Sequence, residues 1–191
     1  MSTALCLAGG TIAFLLFLAS DVCILRRWKG ARACFTLGGI LLAGGTLGLL
    51  CGAGIPAAFR ERPVAAAISA AGACASLGVL IHVLFFALPE EAYRTGGRTV
   101  KTGWYALCRH PGVLWFGALY VCLAALVCTG EMLVAALLFT GLDVAYVWVQ
   151  DRWIFPKTLQ GYAEYQAVTP FLIPTRRSCL LYTSPSPRDG A

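Results

Sequence analysis

Apolar residues in this chain gather into long runs separated by short polar stretches. A helix rising 1.5 Å per residue needs about 20 apolar residues to cross ~30 Å of hydrocarbon. Five runs meet or approach that length. The first predicted span covers Thr3–Leu25 and stops at Arg26-Arg27-Trp28-Lys29. The second covers Ala33–Ala53 and the third Val64–Leu88. A polar stretch, Pro89–His110, precedes the fourth span, Pro111–Thr129. The fifth covers Met132–Gln150. This pattern predicts an all-α polytopic membrane protein with a short cytoplasmic C-terminal segment.

Composition agrees. Hydrophobic residues make up 59% of the 191 residues and charged ones 13%, with a mean hydropathy of +0.74. A soluble domain carries about 25% charged residues, so this chain has roughly half the usual polar coat, and the lipid bilayer is its expected surrounding. The net charge of +6 sits in short runs between the spans, as loop charges do, which argues against a nucleic-acid partner. The first span lacks a basic leader region and a small-residue cleavage site, so it reads as an uncleaved span.

The basic residues also predict orientation. Arg26, Arg27, Lys29 and Arg32 follow span one; Arg94, Arg98, Lys101 and Arg109 follow span three; Arg152, Lys157, Arg176 and Arg177 follow span five. The other side has Arg60 and Arg62, twelve against two. The N-terminus is therefore expected outside, with both long polar segments in the cytoplasm; a bacterial inner membrane is the expected location.

Within the spans, Gly44, Gly48 and Gly52 recur at intervals of four, a spacing that lets a second helix approach closely. Internal packing is expected, and the second and third spans, rich in glycine and alanine, read as scaffold. Intramembrane ionisable groups are costly and tend to mark function. His82 and Asp143 are of that kind, and Asp143 lies about two turns before Gln150. Asp21, near the end of span one, is expected to pair with Arg26 or another basic neighbour. The nine cysteines form no CxxC pair and no His/Cys cluster with metal spacing, so no metal is expected. Most of them read as small packing residues.

Two polar segments remain. Thr102-Gly103-Trp104-Tyr105-Ala106-Leu107-Cys108-Arg109-His110-Pro111 precedes span four. Gln150-Asp151-Arg152 closes span five and is followed by Tyr162-Ala163-Glu164-Tyr165-Gln166, Pro170 and Ile173-Pro174. The very short turn near Gly130 makes spans four and five neighbours, so the segments should converge. Pro111 suits the first position of a helix, which would leave the N–H groups of Gly112, Val113 and Leu114 without intrahelical partners and available to an anion.

The ordered set Gly103-x-Tyr105, Arg109-His110-Pro111, a two-helix hairpin, an acidic helix end, Tyr162-x-x-Tyr165, Pro170 and Ile173-Pro174 resembles the isoprenylcysteine carboxyl methyltransferase family, grouped with the phospholipid N-methyltransferases. The resemblance implies S-adenosylmethionine as cofactor and a lipophilic or prenylated acceptor entering sideways from the bilayer. It implies Arg109 and His110 as catalytic positions. Val100, Tyr105, Arg109, His110, Pro111, Gly112, Val113, Gln150 and Asp151 would bind the cofactor. Tyr146, Asp143 and Tyr162 would face the acceptor. Arg109 would pair with the methionine carboxylate, Tyr105 would stack on adenine, and Gln150 or Asp151 would accept from ribose. The chain departs from the family at Val113, where a Tyr is common, at Gln150, where the family carries an acidic residue, and at Thr158-Leu159, where Phe-Gly is usual.

Methyl transfer is an in-line displacement governed by positioning. A carboxylate acceptor needs no base, whereas an amine would need one, with Glu164, Asp151 or water as candidates. Two rival functions stay open: an NADPH-dependent membrane reductase of steroid-reductase type, and a non-catalytic membrane scaffold subunit. The run from Cys179 to Asp189 resembles a translated sequencing-library adapter and is set apart. The expected organisation is thus 1–178 as one membrane domain, with 1–88 as scaffold and 89–174 as the cofactor-binding half.

Overall fold

The computed structural model describes residues 2–87 and 97–183. Leu88 at the end of the third predicted span, the polar stretch through residue 96 with its Arg94, and tail residues 184–191 lie outside the described residues.

Helix α1, Thr3–Leu25, starts where the Ser2 hydroxyl accepts the Leu5 N–H at 3.3 Å, an N-cap that satisfies one of the helix's orphan donors. It ends in a turn with Arg27 at φ 56. Helix α2, Ala31–Gly52, returns antiparallel and a short helix α3, Ile55–Glu61, follows. Helix α4, Pro63–Ile81, runs on through a π-helical turn, His82–Phe86. After a two-residue strand β1, Gly97–Arg98, and the single-turn α5, Trp104–Leu107, helix α6 covers Pro111–Val127. Cys128, at φ 50, reverses the chain, and the Thr129 hydroxyl caps helix α7, Gly130–Val149, by accepting from the Met132 N–H at 3.3 Å. A second π-helical turn, Gln150–Ile154, continues α7 into α8, Phe155–Thr158. Strand β2, Leu159–Gln160, helix α9, Tyr162–Val168, and helix α10, Arg176–Thr183, complete the described chain.

The fold is an all-α membrane fold. Four helical stretches are long and apolar enough to cross a membrane: Thr3–Leu25, Ala31–Gly52, Pro63–Phe86 and Gly130–Thr158. The fifth apolar helix, α6, has 17 residues and spans only about 26 Å at 1.5 Å per residue. The expected end of span five at Gln150 is corrected: the helical path runs on to Thr158. The π-helical turn joins the two helical stretches, and Asp151 is buried within it.

Helix α1 packs on α2 and α7, and α6 packs on α7 and α4. Phe14, Phe116, Tyr120, Met132 and Phe139 fill the centre of this arrangement. Across the bundle, Thr46 and Tyr120 share a hydroxyl–hydroxyl hydrogen bond of 2.6 Å. Arg62 donates to the Leu126 carbonyl at 3.3 Å and to Cys128 Sγ at 2.9 Å, which places a cation at the C-terminal end of α6, where the helix dipole favours it.

The glycine register differs from expectation. Gly44 and Gly52 face open space, whereas a Cβ on Gly45 would lie 2.7 Å from the Cys6 carbonyl oxygen and one on Gly38 would lie 3.0 Å from that of Ala13. The contact between α1 and α2 therefore runs through Gly38 and Gly45. A four-residue interval drifts about 40° round the helix at each step, whereas a seven-residue interval drifts about 20° and stays on the partner. Gly45→Ala should destabilise the protein by about 1–3 kcal/mol, the usual cost of overpacking. Gly44→Ala should be neutral or stabilising by up to about 1 kcal/mol. Reversible unfolding in micelles measures both; equal losses would restore the four-residue register. Helix α1, within the expected 1–88 scaffold, meets the end of α7 through Asp21, whose hydrogen-bond partner is Gln150.

Candidate functional site

The two polar segments converge where α6 begins and α7 ends. Gly97 and Arg98 pair in parallel with Leu159 and Gln160, and the Thr99 hydroxyl donates to the Gln160 carbonyl at 2.8 Å. The Arg109 N–H donates to Pro170 O at 2.9 Å and the His110 N–H to Phe171 O at 3.3 Å. The Tyr165 hydroxyl donates to the Tyr105 carbonyl at 2.6 Å. The convergence expected from the short turn at Gly130 is thus built from backbone as well as side chains.

At its centre is Asp151, 7% exposed. Oδ1 accepts from Arg109 Nε at 2.8 Å, His110 Nε2 at 3.2 Å and the Tyr162 hydroxyl at 2.6 Å. Oδ2 accepts from Arg109 Nη2 and Gln166 Nε2, both at 3.1 Å. A carboxylate offers about four lone-pair directions, so this one is saturated from within the chain. Because it only accepts, it assigns the imidazole proton to His110 Nε2. Arg109 Nη1 donates to the carbonyls of Gln166 at 3.1 Å and Thr169 at 2.6 Å, so four of its five N–H bonds are committed. Its guanidinium also lies 5.7 Å from the Phe171 ring centroid. The His110 ring stacks at 5.9 Å on Phe155.

Burial sets the proton affinities outside the spans. It lowers the His110 pKa below the ordinary histidine value in spite of the neighbouring Asp151, which keeps the ring neutral. It pushes the Cys108 thiol up to about 11, leaving an unreactive thiol at neutral pH. Burial raises the Tyr162 hydroxyl, with the Asp151 carboxylate adding to the effect; burial raises Tyr165 as well.

A second polar group lies on the other side of α7. Gln150 Nε2 donates to Asp21 Oδ2 and to the Tyr146 hydroxyl, each at 2.8 Å. The expected pairing of Asp21 with Arg26 is not made; the Arg26 guanidinium instead sits 5.4 Å from the Trp28 ring centroid. Asp21 faces inward from α1 toward α7, whereas Arg26 lies past the helix end.

Of the predicted site residues, Arg109, His110, Asp151 and Tyr162 come together in one hydrogen-bonded cluster. Arg109 meets the carboxylate of Asp151 where the resemblance implies a ligand carboxylate. Tyr105 adjoins the cluster and donates from its hydroxyl to the Val83 carbonyl at 3.1 Å. Pro111 begins α6 as expected, but the Val113 N–H is taken by the His110 carbonyl at 3.3 Å. Gly112 faces Leu84 and Leu80, with Leu84 Cδ2 3.3 Å from where a Cβ would stand. Val100 is half-buried just past β1. Gln150 and Tyr146 belong to the Asp21 group, and Asp143 is half-buried in α7 two turns above the cluster. His82 is exposed and stacks on Phe86. Among the described residues no His/Cys/Asp/Glu group could hold a metal ion.

Sequence reasoning missed Gln166, whose amide donates to both the side chain and the carbonyl of Asp151. Its position four residues after Tyr162 put it on the same face of α9, a signal that was available. No family model, curated protein or solved structure matches the chain.

Proposed function

We propose that this chain is a membrane-embedded methyltransferase that moves a methyl group from S-adenosylmethionine to a lipophilic acceptor. One observation carries the reading: residues spread over 58 positions, from Arg109 to Gln166, meet in a single hydrogen-bonded cluster at one end of the α6–α7 hairpin, with Tyr105 beside it. Apart from Gln166, those residues are among the ones whose order and spacing resemble the isoprenylcysteine carboxyl methyltransferases.

The cofactor would supply an activated methyl group on a positively charged sulfur. The residues present suit such a ligand in two ways. Asp21, Gln150 and Tyr146 offer a carboxylate, an amide and a hydroxyl on one face of α7. The start of α6 offers the Gly112 backbone. In this reading Arg109 and His110 act by holding the segments in place, since both are committed to Asp151. His110, kept neutral by burial, is not a proton source at neutral pH. A carboxylate acceptor would then need no base at all, in keeping with a site organised for positioning. The basic asymmetry along the sequence favours the cytoplasm for this end of the bundle, so a soluble cofactor and a bilayer-borne acceptor would arrive from different directions.

A second reading draws on the saturation of Asp151. A carboxylate fully satisfied from within can serve as a structural clasp, as a scaffold subunit would use it. Titration calorimetry of the full chain in lipid nanodiscs separates the readings. The methyltransferase reading expects saturable S-adenosylmethionine binding, then transfer of labelled methyl to a prenylcysteine or an aminophospholipid. Folded protein that binds NADPH instead would favour a reductase. Folded protein that binds neither leaves the scaffold.

A further inference from the structure

We infer that Asp21 is a positioning residue for the sulfonium centre of the cofactor, acting from α1 together with Gln150 and Tyr146; the inference rests on the methyltransferase reading. Asp21 is 8% exposed, and its hydrogen-bond partners Gln150 and Tyr146 are both neutral. Helices α1 and α7 contain no Lys, Arg or His. The ion pairs found among the described residues go to Glu164 and Asp151, not to Asp21. The adjacent Ser20 hydroxyl is directed away, donating to the Ala31 carbonyl at 2.8 Å. A buried carboxylate surrounded by neutral groups is costly, and either a proton or a cation relieves that cost. Asp151 has its cation in Arg109; among the described residues Asp21 has none.

An independent observation points to the kind of cation. Phe17 stands four residues before Asp21 on the same face of α1. Its ring centroid is 6.0 Å from that of Tyr146 and 5.4 Å from that of Phe35. Phe14 is 6.5 Å from Tyr146. Aromatic rings beside a carboxylate recognise sulfonium and quaternary ammonium ions, whose diffuse charge is attracted to ring faces. The same geometry explains how α1, far from the motif in sequence, joins the site. Gln150 bridges the two, donating to Asp21 on one side while its chain neighbour Asp151 holds the clasp on the other.

S-adenosylhomocysteine isolates the claim, because it has the adenosine and amino-acid parts of S-adenosylmethionine but an uncharged sulfur. With the full chain in nanodiscs, Asp21→Asn should weaken S-adenosylmethionine binding about tenfold, equivalent to about 1.4 kcal/mol, and change S-adenosylhomocysteine binding less than about twofold. Gln150→Glu adds a carboxylate beside Asp21 and should shift the preference the opposite way, toward S-adenosylmethionine. It also keeps the test alive if Asp21→Asn fails to fold. A preference between the two ligands that is unchanged in the variants overturns the role of Asp21 while leaving the methyltransferase reading intact. An Asp21→Asn effect confined to the KM of the acceptor overturns it in the same way. Folded wild-type protein that binds neither ligand removes the methyltransferase reading itself and the inference with it.

Discussion

Asp151→Ala should lower the stability of the region where α6 begins and α7 ends by about 3–5 kcal/mol, the usual cost of leaving one member of a buried ion pair without its partner. The Arg109 side chain is 12% exposed, so its charge cannot recover full hydration in place. The Tyr162 hydroxyl loses its acceptor in the same step, and the Gln166 amide loses one of its two; a buried donor left unsatisfied adds about 1–3 kcal/mol. The damage should be local. The core that joins α1, α4, α6 and α7 is apolar and does not include Asp151, whereas residues 162–171 meet residues 105–110 around it, through Asp151 and through direct bonds to Arg109, His110 and Tyr105. Hydrogen exchange in nanodiscs should therefore show faster exchange at the amides of Arg109 and His110, which donate to Pro170 and Phe171, and little change in the centres of the spans. Asp151→Asn keeps the volume but turns a donor toward donors, so its loss should be intermediate. If Asp151→Ala unfolded like wild type, the cluster would contribute nothing to stability and the clasp would be an accident of packing.

Most of the fold could be read from the residues because membrane helices are encoded by length and apolarity alone. The five runs became five apolar helices, with ends within a few residues where a Pro, Gly or basic run marked them, as at Pro111 and Arg26. Misreadings arose where a second chain segment decides the outcome. The end of span five depended on a π-helical turn that no local signal marks. The packing face of α2 depended on the partner: Gly44 and Gly45 are adjacent and chemically identical, and only the position of the Cys6 carbonyl separates them. Asp21 had a basic neighbour in sequence, but its partner Gln150 lies 129 residues away.

For the site, convergence could be foreseen and pairing could not. Short connection length puts α6 beside α7, and that is a statement about topology. Which groups then satisfy each other depends on burial. Arg109 and Asp151 each invite a ligand when considered singly, because each is a charged group at a helix end. Brought together in a buried place, they satisfy one another, since an unpaired charge there costs more than any one ligand contact would return. The spacing of Tyr162, Tyr165 and Gln166 on α9 fits that outcome: three polar side chains within one and a half turns face the clasp and not solvent.

Arg109→Ala is the change with the next largest expected effect, and it separates holding from binding. It removes four hydrogen bonds, two to Asp151 and two to the carbonyls of Gln166 and Thr169, and leaves the carboxylate of Asp151 buried with neutral donors only. The stability loss should again be about 3–5 kcal/mol. The double variant Arg109→Ala/Asp151→Ala should cost little more than either single one, because residues that satisfy each other are not additive. Arg109→Lys keeps the charge but loses the planar fork that reaches Asp151 and two carbonyls at once, so it should recover only part of the loss. On the proposed methyltransferase reading, S-adenosylmethionine binding should fall in step with the fraction of opened cluster, and conditions that restore stability should restore binding. Arg60→Ala, at an exposed position of α3, should change neither quantity. Binding that weakens in Arg109→Ala while stability and hydrogen exchange stay at wild-type values would mean that Arg109 contacts the ligand directly, and that its bonds to Asp151 give way when the ligand arrives.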